Sequence, residues 1–365
     1  MKLFYPEIFE KFVCTGSECS DNCCETDWDV EIDDDTFDFY KKLDSDIGRK
    51  FVGCVTEDEG CKYLVHKDGK CPMLNEKGLC SVQLAYGAER ISDICREHPR
   101  FYEWFGNYKE AGVGLSCEEA VRMYLSDPEP VKFHSKDIDE EADDLEFDET
   151  ALIAMLKART NMIALLQDRA LPIKDRLTIA LNAADCIQFA LDSGDLTDID
   201  KMVNGYKTDS TLLRRINEEN SDLPDPIKTA CDLLEYLLHL DYIDAFIPQR
   251  LRSAREYLLG CGDMPKFEHS GEVEKLAVYF VYRYFLKAVR DLDLLSKFTA
   301  MAVIIFAFAA ISISQNSDTA DRFLTLKELC KEIEYSQDNM DRIYDDSYMD
   351  DRLSLSAVFS LLEIF

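Results

Sequence analysis

Ten of the fourteen cysteines in this 365-residue chain fall between Cys14 and Cys117. They stand in CTGSECSDNCC (Cys14, Cys19, Cys23, Cys24), KCPMLNEKGLC (Cys71, Cys80), DICREHPR (Cys95) and LSC (Cys117), with Cys54 and Cys61 outside these pieces. Thiolates are soft donors that select zinc, Cu(I) or iron–sulfur clusters. A tetrahedral zinc site or a four-iron cluster takes four of them. The eight cysteines of the four pieces therefore suffice for two sites, or for one site with spare thiols. A disulfide framework would require export. The opening MKLFYPEIFEKFVC places acidic residues where a leader would be apolar. The chain is therefore expected in the cytoplasm, with its clustered cysteines as metal ligands. Cys186, Cys231, Cys261 and Cys330 are scattered, and free cysteine behaves as a small hydrophobe, so they read as core residues.

Consecutive side chains on extended backbone point to opposite faces, so Cys23 and Cys24 are expected to serve different sites, or one of them to pack inward. Cys80 stands where a glycine-led turn meets a helix start, and the helix dipole there favours a thiolate. The five histidines (His66, His98, His134, His239, His269) form no spaced ligand pair. His98 lies three residues after Cys95 and reads as a turn residue. Arg96 and Arg100 bracket it and can pair either with an anionic cofactor group or with neighbouring carboxylates. Gly260 and Gly262 in EYLLGCGDMP read as a helix C-terminus rather than a nucleotide-binding turn. No residue can be singled out as a catalytic acid, base or nucleophile.

Elements that would position these ligands follow from periodicity and caps. The spacing predicts a helix over 35–52, with acids at 33–35 supplying its N-cap. A second is predicted over 81–97, stopped by Pro99, and a third from Cys117 onward. Short strands are predicted at 28–32, 62–66 and 111–115. The stretch 127–149 has two prolines and a dense acidic run, and reads as a solvated linker. Beyond it, apolar residues recur at helical spacing over 151–166, 177–191, 227–240, 273–289, 295–313, 321–333 and 353–364. The ring-rich YFVYRYF (279–285) reads as helix core rather than a stacking platform. The expected fold is mainly α: an irregular cysteine-rich metal-binding region with short strands (1–126), the acidic linker (127–149), and an all-helical region (150–365) on which the first part packs.

A net charge of −31 argues against a nucleic-acid binder, which needs a basic stripe, and against docking on an anionic membrane. The uncharged run 298–316 approaches the length of a membrane span. Its apolar part is short and lacks an aromatic belt or basic flank, so a buried central helix is expected.

CTGSECSDNCC followed by Trp28, then CPMLNEKGLCSVQ, ICREHPR and LSCEEAVRM, resembles the flagellin lysine-N-methylase family, itself related to cysteine-rich proteins with a zinc- or iron-chelating domain. RTNMIALLQDRALPIKDRL (159–177) and the helix around YFVYRYFL resemble the family as well. The resemblance implies N-methylation of lysine side chains on flagellin, with S-adenosylmethionine as donor and a [4Fe-4S] cluster. The spacing departs from the C-x3-C-x2-C pattern of radical enzymes: Cys19-x3-Cys23 is followed at once by Cys24, and Thr26 stands where a third cysteine would. A cluster can be assembled instead from Cys71, Cys80, Cys95 and Cys117. The alternatives are a module in which zinc or iron only supports folding, and a sensor with reactive thiolates.

Overall fold

The computed structural model describes residues 1–19, 23–25, 30–58, 60–142 and 147–365. Thr26 and Trp28 lie outside these residues, as does the start of the strand expected at 28–32.

The cysteine-rich region contains two separate β-sheets. One is three-stranded, in the order β2 (Val30–Glu31), β4 (Cys61–Leu64), β3 (Val55–Asp58), and all its pairs are antiparallel. It carries the helices Asp34–Lys42 and Asp46–Gly53. These replace the single helix expected over 35–52. Ser45 caps the second helix by accepting the Gly48 amide at 3.0 Å. A Cβ at Gly48 would stand 2.7 Å from the Leu43 carbonyl oxygen, so the tight corner requires glycine. The helix expected over 81–97 is likewise divided, into Ser81–Tyr86 and Asp93–Glu97, because Gly87 adopts φ +88°. Ile32, Tyr40, Phe51, Leu64, Met73 and Val82 form a small core for this module alone.

The second sheet has the order β5 (Arg100–Phe105), β6 (Tyr108–Val113), β1 (Lys2–Pro6), β7 (Phe133–Asp137). β1 runs parallel to β6; the other pairs are antiparallel. β7 lies inside the stretch expected to be linker. It pairs all five residues of β1 and exposes most of its own side chains, as suits a charged edge strand.

This sheet joins the module to the helical body. The Tyr282 hydroxyl donates to the carbonyls of Phe4 (3.0 Å) and Ala111 (2.8 Å). Arg159 and Glu110 form a bidentate ion pair that excludes water almost completely. Phe105, Leu115, Val121 and Tyr124 enter the same core as the helices. At its centre runs Leu295–Ser314, long and apolar enough to cross a membrane but 94% buried inside the fold. Tyr279, Phe280, Tyr282 and Tyr284 of the ring-rich helix Ser270–Tyr284 are buried too. The helices Ile199–Thr208, Leu212–Glu219 and Gln337–Asp346 were not legible as periodic blocks; their sequences are polar apart from one narrow face.

Candidate metal centre

The thiols divide into two groups. In the first, Cys24, Cys71, Cys80 and Cys95 lie close enough that the last three, raised chiefly by burial, are raised further by Cys24, and Cys54 adds to the rise at Cys71. Backbone pairing brings them together. The Cys71 amide donates to the Cys24 carbonyl at 2.8 Å, and the Leu74 amide to the Cys71 carbonyl at 3.1 Å. A bridge pairs Leu74 with Cys80. The turn between Cys71 and Cys80 is closed by Asn75, whose side chain accepts from the amides of Lys77 and Leu79. Cys80 is the N-cap of Ser81–Tyr86. Burial pushes its thiol up; the amides of Gln83 and Val82 at the helix start oppose this without overcoming it.

Cys23 and Cys24 occupy a turn rather than extended backbone, with Cys23 exposed and the Cys24 thiol turned inward. The Cys23 side chain acts on the Cys24 thiol directly, and with burial drives its pKa far up. Burial also raises Cys71, to about 11. Burial of the thiol pushes Cys95 up as well, although the residue retains exposed surface.

In the second group are Cys14, Cys19 and Cys117. Burial raises Cys117 to about 11, opposed by the Ala120 and Glu119 amides and reinforced by Cys19 and Cys14. Cys117 is the N-cap of the helix Glu118–Ser126. Thr15 holds Cys19 through a 3.1 Å contact between its hydroxyl and the thiol, and the Gly16 amide donates to Cys14 Sγ at 3.3 Å. Cys117 therefore belongs with Cys14 and Cys19, not with Cys71, Cys80 and Cys95.

These donor sets suit a cation. Four or three thiols face one another in partly dehydrated surroundings, where mutual repulsion disfavours thiolates until a positive centre is supplied. A single tetrahedral zinc, with Zn–S near 2.3 Å, needs sulfurs about 3.8 Å apart. Among the described residues no three cysteine sulfurs lie within 4.8 Å of one another.

Arg96 pairs with Asp93 and Glu97 on the surface. Arg100 donates to the Phe12 carbonyl at 3.2 Å and lies over the rings of Phe12 and Phe9. Both guanidiniums are thus engaged within the protein. His98 is half-buried, and burial lowers its pKa to about 4, so it is neutral at physiological pH. Of the scattered cysteines, Cys231 and Cys330 are buried as expected. Cys186 is exposed and Cys261 half-exposed, because they lie on the outer face and at the end of their helices.

Two features had no sequence signal. Lys327, buried on the helix Thr319–Leu329, feels the charge of Cys19 across the junction. A cleft of about 600 Å³ opens beside Pro128, lined by Arg169, Pro172, Arg176, Ser270 and Glu274. Its floor is Glu274, gripped by Arg169 at 2.9 Å and Arg176 at 2.8 Å. Pro128 follows the C-terminal end of the helix that begins at Cys117, so the cleft and the second thiol group lie at opposite ends of that helix.

Residues 159–361 match the family model described as the FliB lysine N-methylase C-terminal domain. A 146-residue segment is 28% identical to a protein named lysine-N-methylase from Salmonella typhimurium, covering 36% of this chain and 35% of that protein. A 144-residue segment is 28% identical to the flagellar biosynthetic protein FliU of Salmonella muenchen, covering 36% of this chain and 81% of that one. The matched segment thus spans about a third of the lysine-N-methylase. No solved structure matches. The family model covers helical body and leaves out all ten clustered cysteines.

Proposed function

Because the chain belongs to the family of the FliB lysine N-methylase C-terminal domain, we propose that it methylates lysine side chains of a protein substrate, with flagellin as the candidate. The methyl donor in this reading is S-adenosylmethionine, which supplies the methyl group when bound. The metal centre is a [4Fe-4S] cluster held by Cys24, Cys71, Cys80 and Cys95. The names of the relatives support the reaction, and the resemblance in the cysteine pieces supports the donor and the cluster. The observation that carries the metal assignment is the convergence of these four thiols from three separate chain segments. The cytoplasm is the compartment that keeps such thiols reduced.

The chain's own residues have distinct tasks in this reading. The turn 71–80 and the helix starts at Cys80 and Cys117 hold the cysteine ligands in place. The sheet carrying Glu110 and Tyr108 locks the thiol module onto the helices through Arg159. A non-enzymatic reading, with zinc or iron only supporting the fold, draws on the small size of the module's own core.

The test is methyl transfer. Anaerobically prepared protein, S-adenosylmethionine and unmethylated flagellin should give flagellin heavier by whole methyl groups, mapped to lysine by peptide mass spectrometry. The same mixture with Cys80→Ser protein should give little. Flagellin and other lysine-rich proteins left unmodified by metal-loaded wild type would move the chain to the non-enzymatic reading.

A further inference from the structure

We propose that Asp244, Glu328 and Glu332 form a binding site for a hard divalent cation of the calcium type, separate from the thiol centre. One carboxylate oxygen from each of the three lies within 4.8 Å of the others, the only such trio of ligand atoms among the described residues. Oxygens around a single Ca²⁺ stand about 2.3–2.6 Å from the ion, so any two are separated by at most about 5 Å. The trio fits one coordination shell.

The carboxylates are held from behind and left open in front. Glu332 Oε2 accepts the Ile243 amide at 2.7 Å, while its Oε1 is buried without a hydrogen-bond partner. Glu328 Oε1 accepts from Lys327 at 2.9 Å, while its Oε2 is also buried without one. The ammonium of Lys331 is 3.6 Å from that oxygen, beyond hydrogen-bond reach. Glu328 and Glu332 are only 5% and 2% exposed. A buried carboxylate oxygen is normally satisfied; Glu332 Oε1 is not, and Glu328 Oε2 has only the Lys331 ammonium at ion-pair distance. Asp244 Oδ1 caps the next helix by accepting the Phe246 amide at 2.7 Å, and Asp244 is exposed, which gives an ion its way in.

The three carboxylates offer oxygen donors only. An all-oxygen donor set selects calcium or magnesium over the soft metals that thiolates prefer. The irregular arrangement favours Ca²⁺, since Mg²⁺ demands near-ideal octahedral geometry. Lys331 is the natural competitor for the ion.

Calorimetric titration of CaCl₂ into the metal-loaded 365-residue protein tests the site. Wild type should bind one Ca²⁺ per chain, with a dissociation constant on the order of 10⁻⁴ M. Asp244→Asn, which keeps the oxygen that accepts the Phe246 amide, should weaken binding at least about tenfold, and Glu332→Gln should abolish it. Lys331→Met should tighten it. No heat of calcium binding to folded wild type, or equal affinity in Asp244→Asn and wild type, would overturn the assignment.

Discussion

The hydroxyl oxygen of Tyr335 stands 1.5 Å from the point where a Cβ on Gly114 would lie. Gly114 follows the strand Tyr108–Val113 on the way to Cys117, and Tyr335 follows the π-helical turn Cys330–Glu334 of the helical body. The next residue is fixed as well: the Leu115 amide donates to the Tyr279 hydroxyl at 3.4 Å, and that hydroxyl donates to Glu334 at 2.6 Å. The loop to the second thiol group is thus pressed onto the helices with no room for a side chain.

Gly114→Ala should therefore destabilise the protein by about 1–3 kcal/mol, the usual cost of overpacking. It should also displace Cys117. Thermal melting together with metal analysis checks both effects. An unchanged melting temperature with full metal content would show that the loop is not held this way.

Glu274 gives a pH dependence whose sign follows from its neighbours. Burial opposes ionisation of its carboxyl, but Arg169 and Arg176 prevail and hold its pKa below the ordinary value. At low pH the unfolded chain then binds more protons than the folded one. The stabilisation is complete above the unfolded glutamate pKa, about 4.3, and disappears as pH falls through the lower folded value. The melting-temperature advantage of wild type over Glu274→Gln should shrink below about pH 4.3. A constant difference down to pH 3 would remove Glu274 from the account.

The cysteine map predicts two patterns of loss. Cys71→Ser, Cys80→Ser or Cys95→Ser should release the metal of the first group and loosen residues 30–97. Cys117→Ser should leave that metal in place. Cys231→Ser and Cys330→Ser should cost packing alone, on the order of 1–3 kcal/mol. Alkylation of native protein followed by peptide mapping should label exposed Cys186 and spare Cys330. If Cys117→Ser emptied the first group, the division into two sets would be wrong.

The helical body was legible because its long segments repeat apolar residues every three to four positions, as 151–166 and 295–313 do. Breaks within the cysteine module were less legible. Gly48 and Gly87 impose them through local backbone geometry that an apolar count does not register. The charged strand Phe133–Asp137 looks like linker until Lys2–Pro6, more than a hundred residues away, supplies its partner. The ligand residue types were apparent from spacing, but their grouping was not. Cys117 joins Cys14 and Cys19 because the second sheet places it there, and the charge of Cys19 acts on Lys327 across some three hundred residues of sequence.

Elemental and visible spectroscopic analysis of protein purified without oxygen tests the central claim most directly. The account predicts brown protein with iron and sulfide in near-equal amounts, bleached by Cys24→Ser or Cys80→Ser and retained in Cys186→Ser. Colourless protein carrying stoichiometric zinc on the same four cysteines would contradict the iron–sulfur assignment.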